Sequence, residues 1–477
     1  MQPDVENASE DCLFLNIWTP TTDTSAKLPV RVFIHGGGFQ TGSGSDFGYG
    51  GCQIANDSNV VAVTINYRLG VLGFLALPGL EDSTAGGTTG TWGLLDQRSA
   101  LGWIQRNIRA FGGDPAKVMI TGQSAGGYSV MLHTVMPGSA GLFSSAAPVS
   151  GSADVMAFDF LKDAYAKGRA VADALQCNTG LSMAERRTCL LNVRADVIVG
   201  AQKALGGWGQ IFPAIDGKQI PKAPLLLMQE GKMARVPMLF GMEANEGVLE
   251  ASAITQFNFY INKTQFLDKL RELPVSVPPA FESRLFKQYN ERADGSWFLS
   301  LTHAITDAGY WCPAYRAARY FSRHSSSPTR YYITNTVKPM SGCFFNLSFP
   351  GVGGLDAAQF FDAYHGYSVP LSFMVPQQYP DACAFKPAEL QFSSFLSGIL
   401  SNFAANRTPL PPRSASLNQK PLAGFKWPSW NSSDQKVLWL EWGKPGFIAA
   451  SELLGARCKI WDDILDYNIK RGTSYDM

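Results

Sequence analysis

Val118-Met119-Ile120-Thr121-Gly122-Gln123-Ser124-Ala125-Gly126-Gly127 decides how this chain folds. Val118-Met119-Ile120 reads as a short buried strand, and a helix begins beyond Gly127, with apolar residues from Tyr128 to Val135. Between them lies G-x-S-x-G, a strand–turn–helix that lifts a serine hydroxyl above the end of a sheet. Glycine is needed on both sides because the turn is sharp and a Cβ at Gly122 or Gly126 would strike neighbouring chain. The turn also sets the N–H of Ala125 at a helix start, where it can donate to a developing oxyanion. A glycine-rich loop that merely contains a serine would lack the flanking strand and helix.

The surrounding pattern repeats the rhythm. Pro29–Ile34 and Val60–Ile65 are β-branched runs, Leu94, Leu101, Ile104 and Ile108 recur at helical spacing, and Pro237–Phe240 is a fourth strand. Helical patterns fill Thr264 to Ser325, and Tyr331-Tyr332-Ile333 returns to a strand. Alternating strands and helices predict an α/β architecture, a mostly parallel sheet covered by helices. No repeat and no long linker divides the chain, so a single domain over residues 1–477 is expected. The Pro-rich stretch Thr408–Arg413 reads as a surface loop.

A second glycine run, His35-Gly36-Gly37-Gly38-Phe39, follows the first of these strands. Its small residues let backbone N–H groups turn inward, so Gly37 and Gly38 are candidates, with Ala125, for an oxyanion hole. A phosphate-binding loop would end in Gly-Lys-Ser/Thr, and this one does not.

Composition excludes other classes. The 477 residues carry 40 basic and 39 acidic side chains, net +1, with no long basic block to serve as a footprint for nucleic acid. No uncharged apolar run reaches the length of a membrane span. The eight cysteines form no CxxC and no HExxH occurs, so neither a metal nor an organic cofactor is implied. Dispersed cysteines and six N-x-S/T sequons, at Asn7, Asn56, Asn262, Asn346, Asn406 and Asn431, point to the secretory route, although Met1-Gln2-Pro3 opens no signal peptide. The alternative is a cytosolic enzyme with inert thiols. Oligomeric state stays open.

A serine nucleophile on this turn calls for an acid and then a histidine further along the chain. Gly241–Gly247 follows a strand and offers Glu243 and Glu246. Of the five histidines, His35 and His133 precede the acid, which leaves His303, in a helical run, His324, in a Ser-rich stretch, and His365, in a loop.

Taken together, these motifs resemble the type-B carboxylesterases, a family that includes cholinesterases, mammalian carboxylesterases and fungal lipases. Glu10–Trp18, Asn66-Tyr67-Arg68, Gly93–Arg98, Phe111–Pro115, Phe212–Gly217 and Cys458–Asp462 carry the likeness further, over nearly the whole chain. The resemblance implies an α/β-hydrolase fold and cleavage of small-molecule or lipid esters through an acyl-enzyme. It implies the triad Ser124, Glu246 and His365, with Glu246 and His365 picked out by the pairs Glu246-Gly247 and His365-Gly366. It also implies disulfides Cys177–Cys189 and Cys312–Cys458 and a structural ion pair between Arg68 and Asp96. Cys343 with Cys383 is a further conceivable pair, and Cys12 and Cys52 are left over.

Two departures stand out. Gln123 occupies a position where many members carry Glu, which weakens the case for a cationic ester such as choline. The family's N-terminal segment, with the usual partners of Cys12 and Glu10, is not represented ahead of Glu10. The chain therefore reads as N-terminally truncated, with the leader in the absent part and Glu10 as an unpaired buried charge. A lipase or sterol esterase, or an inactive adhesion module of the same fold, remain alternatives. The retained Ser124, Glu246 and His365 speak against the last.

Overall fold

The computed structural model describes residues 9–152, 158–205, 210–273, 275, 277–290, 295–336, 362–378, 385–409, 427–430, 434–441 and 445–470. Sequons Asn7, Asn346 and Asn431, cysteines Cys343 and Cys383, and most of the Pro-rich stretch lie outside them.

Eleven strands are present among these residues: β1 (Leu15–Trp18), β2 (Leu28–Ile34), β3 (Val61–Ile65), β4 (Gly113–Gln123), β5 (Ser145–Val149), β6 (Asp159–Phe160), β7 (Ala214–Ile215), β8 (Met238–Glu243), β9 (Thr329–Thr334), β10 (Lys436–Leu440) and β11 (Gly446–Ala449). Nine of them form one sheet in the order β1-β3-β2-β4-β5-β8-β9-β10-β11, while β6 and β7 pair separately. Neighbours from β3 through to β10 run parallel, and the two edge strands β1 and β11 run antiparallel. The central strands are largely apolar, with Arg31 of β2 and Thr64 of β3 the buried polar exceptions in those two, because both faces are covered, as a parallel sheet requires. Helices Ala125–Val135 and Pro387–Asn406 both pack on β2, β4 and β5.

The expected strands and helices from Pro29 to Ile333 are found, with shifted ends. The helix carrying Leu94 and Ile104 spans Trp92–Asn107, and Ile108 opens a separate tight turn. The helical stretch after Thr264 resolves into Lys263–Arg271, Pro279–Asn290, Trp297–Ile305 and Cys312–His324, with a π-helical segment Thr306–Trp311 leading into the last. Four strands of the main sheet had no strand reading. β5, Ser-Ala-Ala-Pro-Val, shows why: small residues and a proline argue against a central strand, yet it lies fully buried between β4 and β8.

Disulfides join Cys177 to Cys189 and Cys312 to Cys458, while Cys12 and Cys52 have no disulfide partner among the described residues. Arg68 and Asp96 form a two-pronged ion pair, with Nε to Oδ2 at 2.7 Å and an Nη2 to Oδ1 contact at 2.8 Å. One expectation is corrected. Glu10 is exposed, so water solvates its carboxylate and no buried partner is required.

Candidate active site

β4 ends at Gln123 and the helix Ala125–Val135 starts one residue later, leaving Ser124 alone at the turn with φ 55° and ψ −125°. Such a conformation is costly for a residue with a Cβ and persists only where the surroundings enforce it. Here they do. The N–H of Ser124 donates to Val149 O at 3.0 Å, at the end of β5. A Cβ at Gly126 would lie 1.9 Å from Ile34 O, and one at Gly122 would lie 2.5 Å from Gly126 O. Both glycines are thus required by close approach of backbone.

β2 runs beside β4, so the loop after Ile34 passes the serine turn. Gly37 and Gly38 adopt φ 104° and 62° there. A Cβ on Gly37 would meet the main chain of Thr41 at 2.1 Å, whereas one on Gly38 would meet nothing nearer than Gln210 at 3.7 Å among the described residues. The N–H groups of Gly37 and Gly38 donate to no acceptor among the described residues. His35 lies beneath, stacked on Tyr67 with ring centroids 4.4 Å apart and its Nδ1 2.8 Å from Gly36 O. Burial pushes its pKa down to about 4, so it stays neutral and structural. His133 is likewise driven down to about 3 by burial, with Arg98 adding to the effect, and is held by Ser139 and Gln97.

Glu246 and His365, 119 residues apart, are brought together by the main chain. A lone parallel bridge pairs Asn245 with Tyr364, and Asn245 N donates to Ala363 O at 3.1 Å. The next residue on each side is therefore the carboxylate and the imidazole. His365 Nδ1 lies 2.7 Å from Glu246 Oε2, and Glu246 Oε1 accepts the N–H of Glu243 at 2.8 Å. Glu246 is fully buried. Burial alone would lower the imidazole's pKa. The hydrogen bond and charge of Glu246, with the charge of Glu250 behind it, outweigh burial and raise it. The Tyr310 ring packs against the imidazole with centroids 5.0 Å apart, and its hydroxyl is hydrogen-bonded to Glu250.

The far nitrogen of the ring does not meet Ser124. His365 Nε2 lies 3.1 Å from Gln123 Nε2, the side chain immediately before the serine, and the Ser124 hydroxyl makes no hydrogen bond among the described residues. With Nδ1–H given to Glu246, Nε2 carries the lone pair and accepts from the carboxamide. His303 and His324 belong to the helices Trp297–Ile305 and Cys312–His324. Sequence reasoning did not foresee the Gln123 contact or the part played by Tyr310. The one available signal was three carboxyls, Glu243, Glu246 and Glu250, in a stretch otherwise mostly apolar.

Residues 1–461 match the sequence pattern of the Carboxylesterase family. The chain belongs to that family. This carboxylesterase-family chain is 30% identical over 470 residues to a cholinesterase of Mus musculus, covering 95% of this chain and 72% of the relative. It is 33% identical over 360 residues to a para-nitrobenzyl esterase of Bacillus subtilis (strain 168), covering 74% and 69%. It is 29% identical over 477 residues to an acetylcholinesterase of Bungarus fasciatus, covering 96% and 72%. The chain is a carboxylic-ester hydrolase of the α/β-hydrolase fold. Among the described residues no helix is long and apolar enough to cross a membrane.

Proposed function

We propose that the enzyme cleaves esters through an acyl-enzyme on Ser124, with His365 as general base and then acid, and Glu246 as the group that orients it. The carrying observation is the 2.7 Å contact between His365 Nδ1 and Glu246 Oε2, beside a serine held at positive φ. Glu246 fixes the Nδ1–H tautomer, so the Nε2 lone pair faces the serine turn. For the first step the Gln123 carboxamide gives up Nε2, which takes the Ser124 proton as Oγ attacks the ester carbon. The N–H groups of Gly37, Gly38 and Ala125 receive the oxyanion. Collapse expels the alcohol with the proton from Nε2, and water then repeats the sequence to release the acid. Glu246 stabilises the imidazolium in both halves without taking its proton.

Gln123 puts no charge beside the base, which favours neutral small-molecule or lipid esters over cationic ones. Two disulfides, and exposed sequon residues Asn56, Asn262 and Asn406, support passage through the secretory route and glycosylation there. We read the whole chain as one domain built on the nine-stranded sheet.

A fluorophosphonate probe tests the nucleophile. The wild-type chain should be labelled at Ser124, and Ser124→Ala should be neither labelled nor active on p-nitrophenyl esters. Labelling of a folded Ser124→Ala variant at an undiminished rate would move the nucleophile elsewhere. A series of p-nitrophenyl acyl lengths then separates short-chain esterase from lipase.

A further inference from the structure

Glu243, passed over as the acid, ends β8 three residues before Glu246 and is fully buried. Nearly every polar atom it has is engaged around the site. Its N–H donates to Glu246 Oε1 at 2.8 Å, and its carbonyl accepts the indole N–H of Trp311 at 2.8 Å. Its carboxyl Oε1 accepts the N–H of Ser368 at 3.1 Å and is hydrogen-bonded to the Ser368 hydroxyl. Ser368 opens the short helix Ser368–Ser372, three residues beyond His365.

From this arrangement we infer that Glu243 is a positioning residue for ester hydrolysis: its main chain aims the acid, and its carboxyl anchors the segment that carries the base. The inference rests on the triad proposed above and adds the part that sets the spacing between two of its members. The segment bearing His365 is tied to the end of β8 at two places. One lies just before the imidazole, at the Asn245–Tyr364 bridge, and the other just after it, at Ser368. With both ties the ring is held from either side. With the bridge alone, the turn through Gly366, whose φ of 92° only glycine adopts readily, loses its direct hold on the end of β8.

The surroundings of the anchor favour its neutral form. Glu243 Oε2 has no hydrogen-bond partner, and no salt bridge reaches this carboxyl among the described residues. The charged and titratable groups around it are Glu246 on its own segment, Tyr332 on β9 with Arg31 of β2 behind it, and His365 and Glu250 beyond Glu246. Burial, and then the neighbouring Glu246 carboxylate, push Glu243 well above the usual carboxyl range.

The test compares Glu243→Gln, Glu243→Ala, Ser368→Ala and Ser124→Ala in the full chain. Readouts are kcat, KM and the pH profile on p-nitrophenyl acetate, with circular dichroism to establish folding. Glu243→Gln keeps the neutral acceptor, so kcat should stay within a factor of about three and the acid limb should not move. Glu243→Ala should lower kcat by about 10- to 100-fold with KM little changed, because the base is displaced. Ser368→Ala, a milder change that folds even if the alanine at 243 does not, should lower kcat in the same sense. Adding it to Glu243→Ala should cost nothing more. Wild-type kcat and acid limb in folded Glu243→Ala or Ser368→Ala overturn the anchor. So does a folded Glu243→Gln as impaired as Glu243→Ala. Full activity in Ser124→Ala would instead overturn the triad, and the anchor with it, so the two failures are told apart.

Discussion

His365 offers its Nε2 to the side chain of Gln123, at 3.1 Å, and not to the hydroxyl of Ser124, the next residue along. The proposed base is thereby capped by a neutral donor from the turn that carries the proposed nucleophile. The cap stabilises neutral imidazole, since a donor on Nε2 has nothing to bond once that nitrogen is protonated. Gln123→Glu reverses the sign. A carboxylate at this distance stabilises the imidazolium and should move the acid limb of kcat/KM to higher pH by about one unit. The same variant should gain affinity for cationic esters over neutral ones. A pH–rate profile on p-nitrophenyl acetate, alongside a choline ester, checks both. An unmoved limb would mean that the carboxamide does not lie on the base in solution.

The acid limb of the wild-type enzyme carries its own prediction. The proposed base, His365, would act when neutral, so activity should be lost as pH falls through its pKa. That pKa is raised because Glu246, with Glu250 behind it, outweighs the opposing effect of burial. The limb should therefore lie above the ordinary imidazole value of about 6.5. Glu246→Gln removes the nearer charge and should bring the limb down. It should also cut kcat by about 10⁴, because an amide oxygen no longer stabilises the imidazolium or enforces the tautomer. A limb that does not move in this variant would remove Glu246 from its role.

Legibility in the sequence followed the locality of the physics. The Ser124 turn was readable because a sharp bend between strand and helix demands glycine at 122 and 126, and those demands are local. The strands from β2 to β4 were readable because burial on both faces leaves β-branched runs. β5 was not, because its place under the turn is set by neighbours that constrain size: Val149 O must receive the Ser124 N–H, and small residues lie beside β4. The bonds of Gln123 to His365 and of Glu243 to Ser368 span 242 and 125 residues, and no spacing rule announces contacts of that range. The histidine was picked out by resemblance, since position along the chain alone left His303, His324 and His365 open.

Gly126→Ala should be far more damaging than an ordinary glycine-to-alanine change in a helix. The helical position itself would favour alanine by roughly 1 kcal/mol. The added Cβ, however, would lie 1.9 Å from Ile34 O and 2.9 Å from His35 O, on the strand end that leads into Gly36, Gly37 and Gly38. Backbone cannot yield as a side-chain tip would, so the helix must withdraw from β2. Chemical denaturation should show a loss of about 3 kcal/mol or more, or no soluble protein. Any folded fraction should show reduced fluorophosphonate labelling. A variant as stable and reactive as wild type would contradict the close approach.

The two disulfides should differ in what they contribute. Cys177 and Cys189 are 12 residues apart, whereas Cys312 and Cys458 are 146 apart and tie the helix Cys312–His324 to the C-terminal helix Ala456–Lys470. Restricting the unfolded chain is worth more for the longer loop, about 5 kcal/mol against about 3 on loop entropy alone. The longer link also has a nearer route to the site. Trp311, next to Cys312, donates its indole N–H to the carbonyl of Glu243. Replacing Cys312 and Cys458 by serine should therefore cost more stability than replacing Cys177 and Cys189, and should also lower kcat, while the other pair leaves kcat unchanged in the folded protein. Guanidinium melts with activity measured well below the transition separate the two effects. Equal losses in both pairs would show that loop length is not what governs their contributions here.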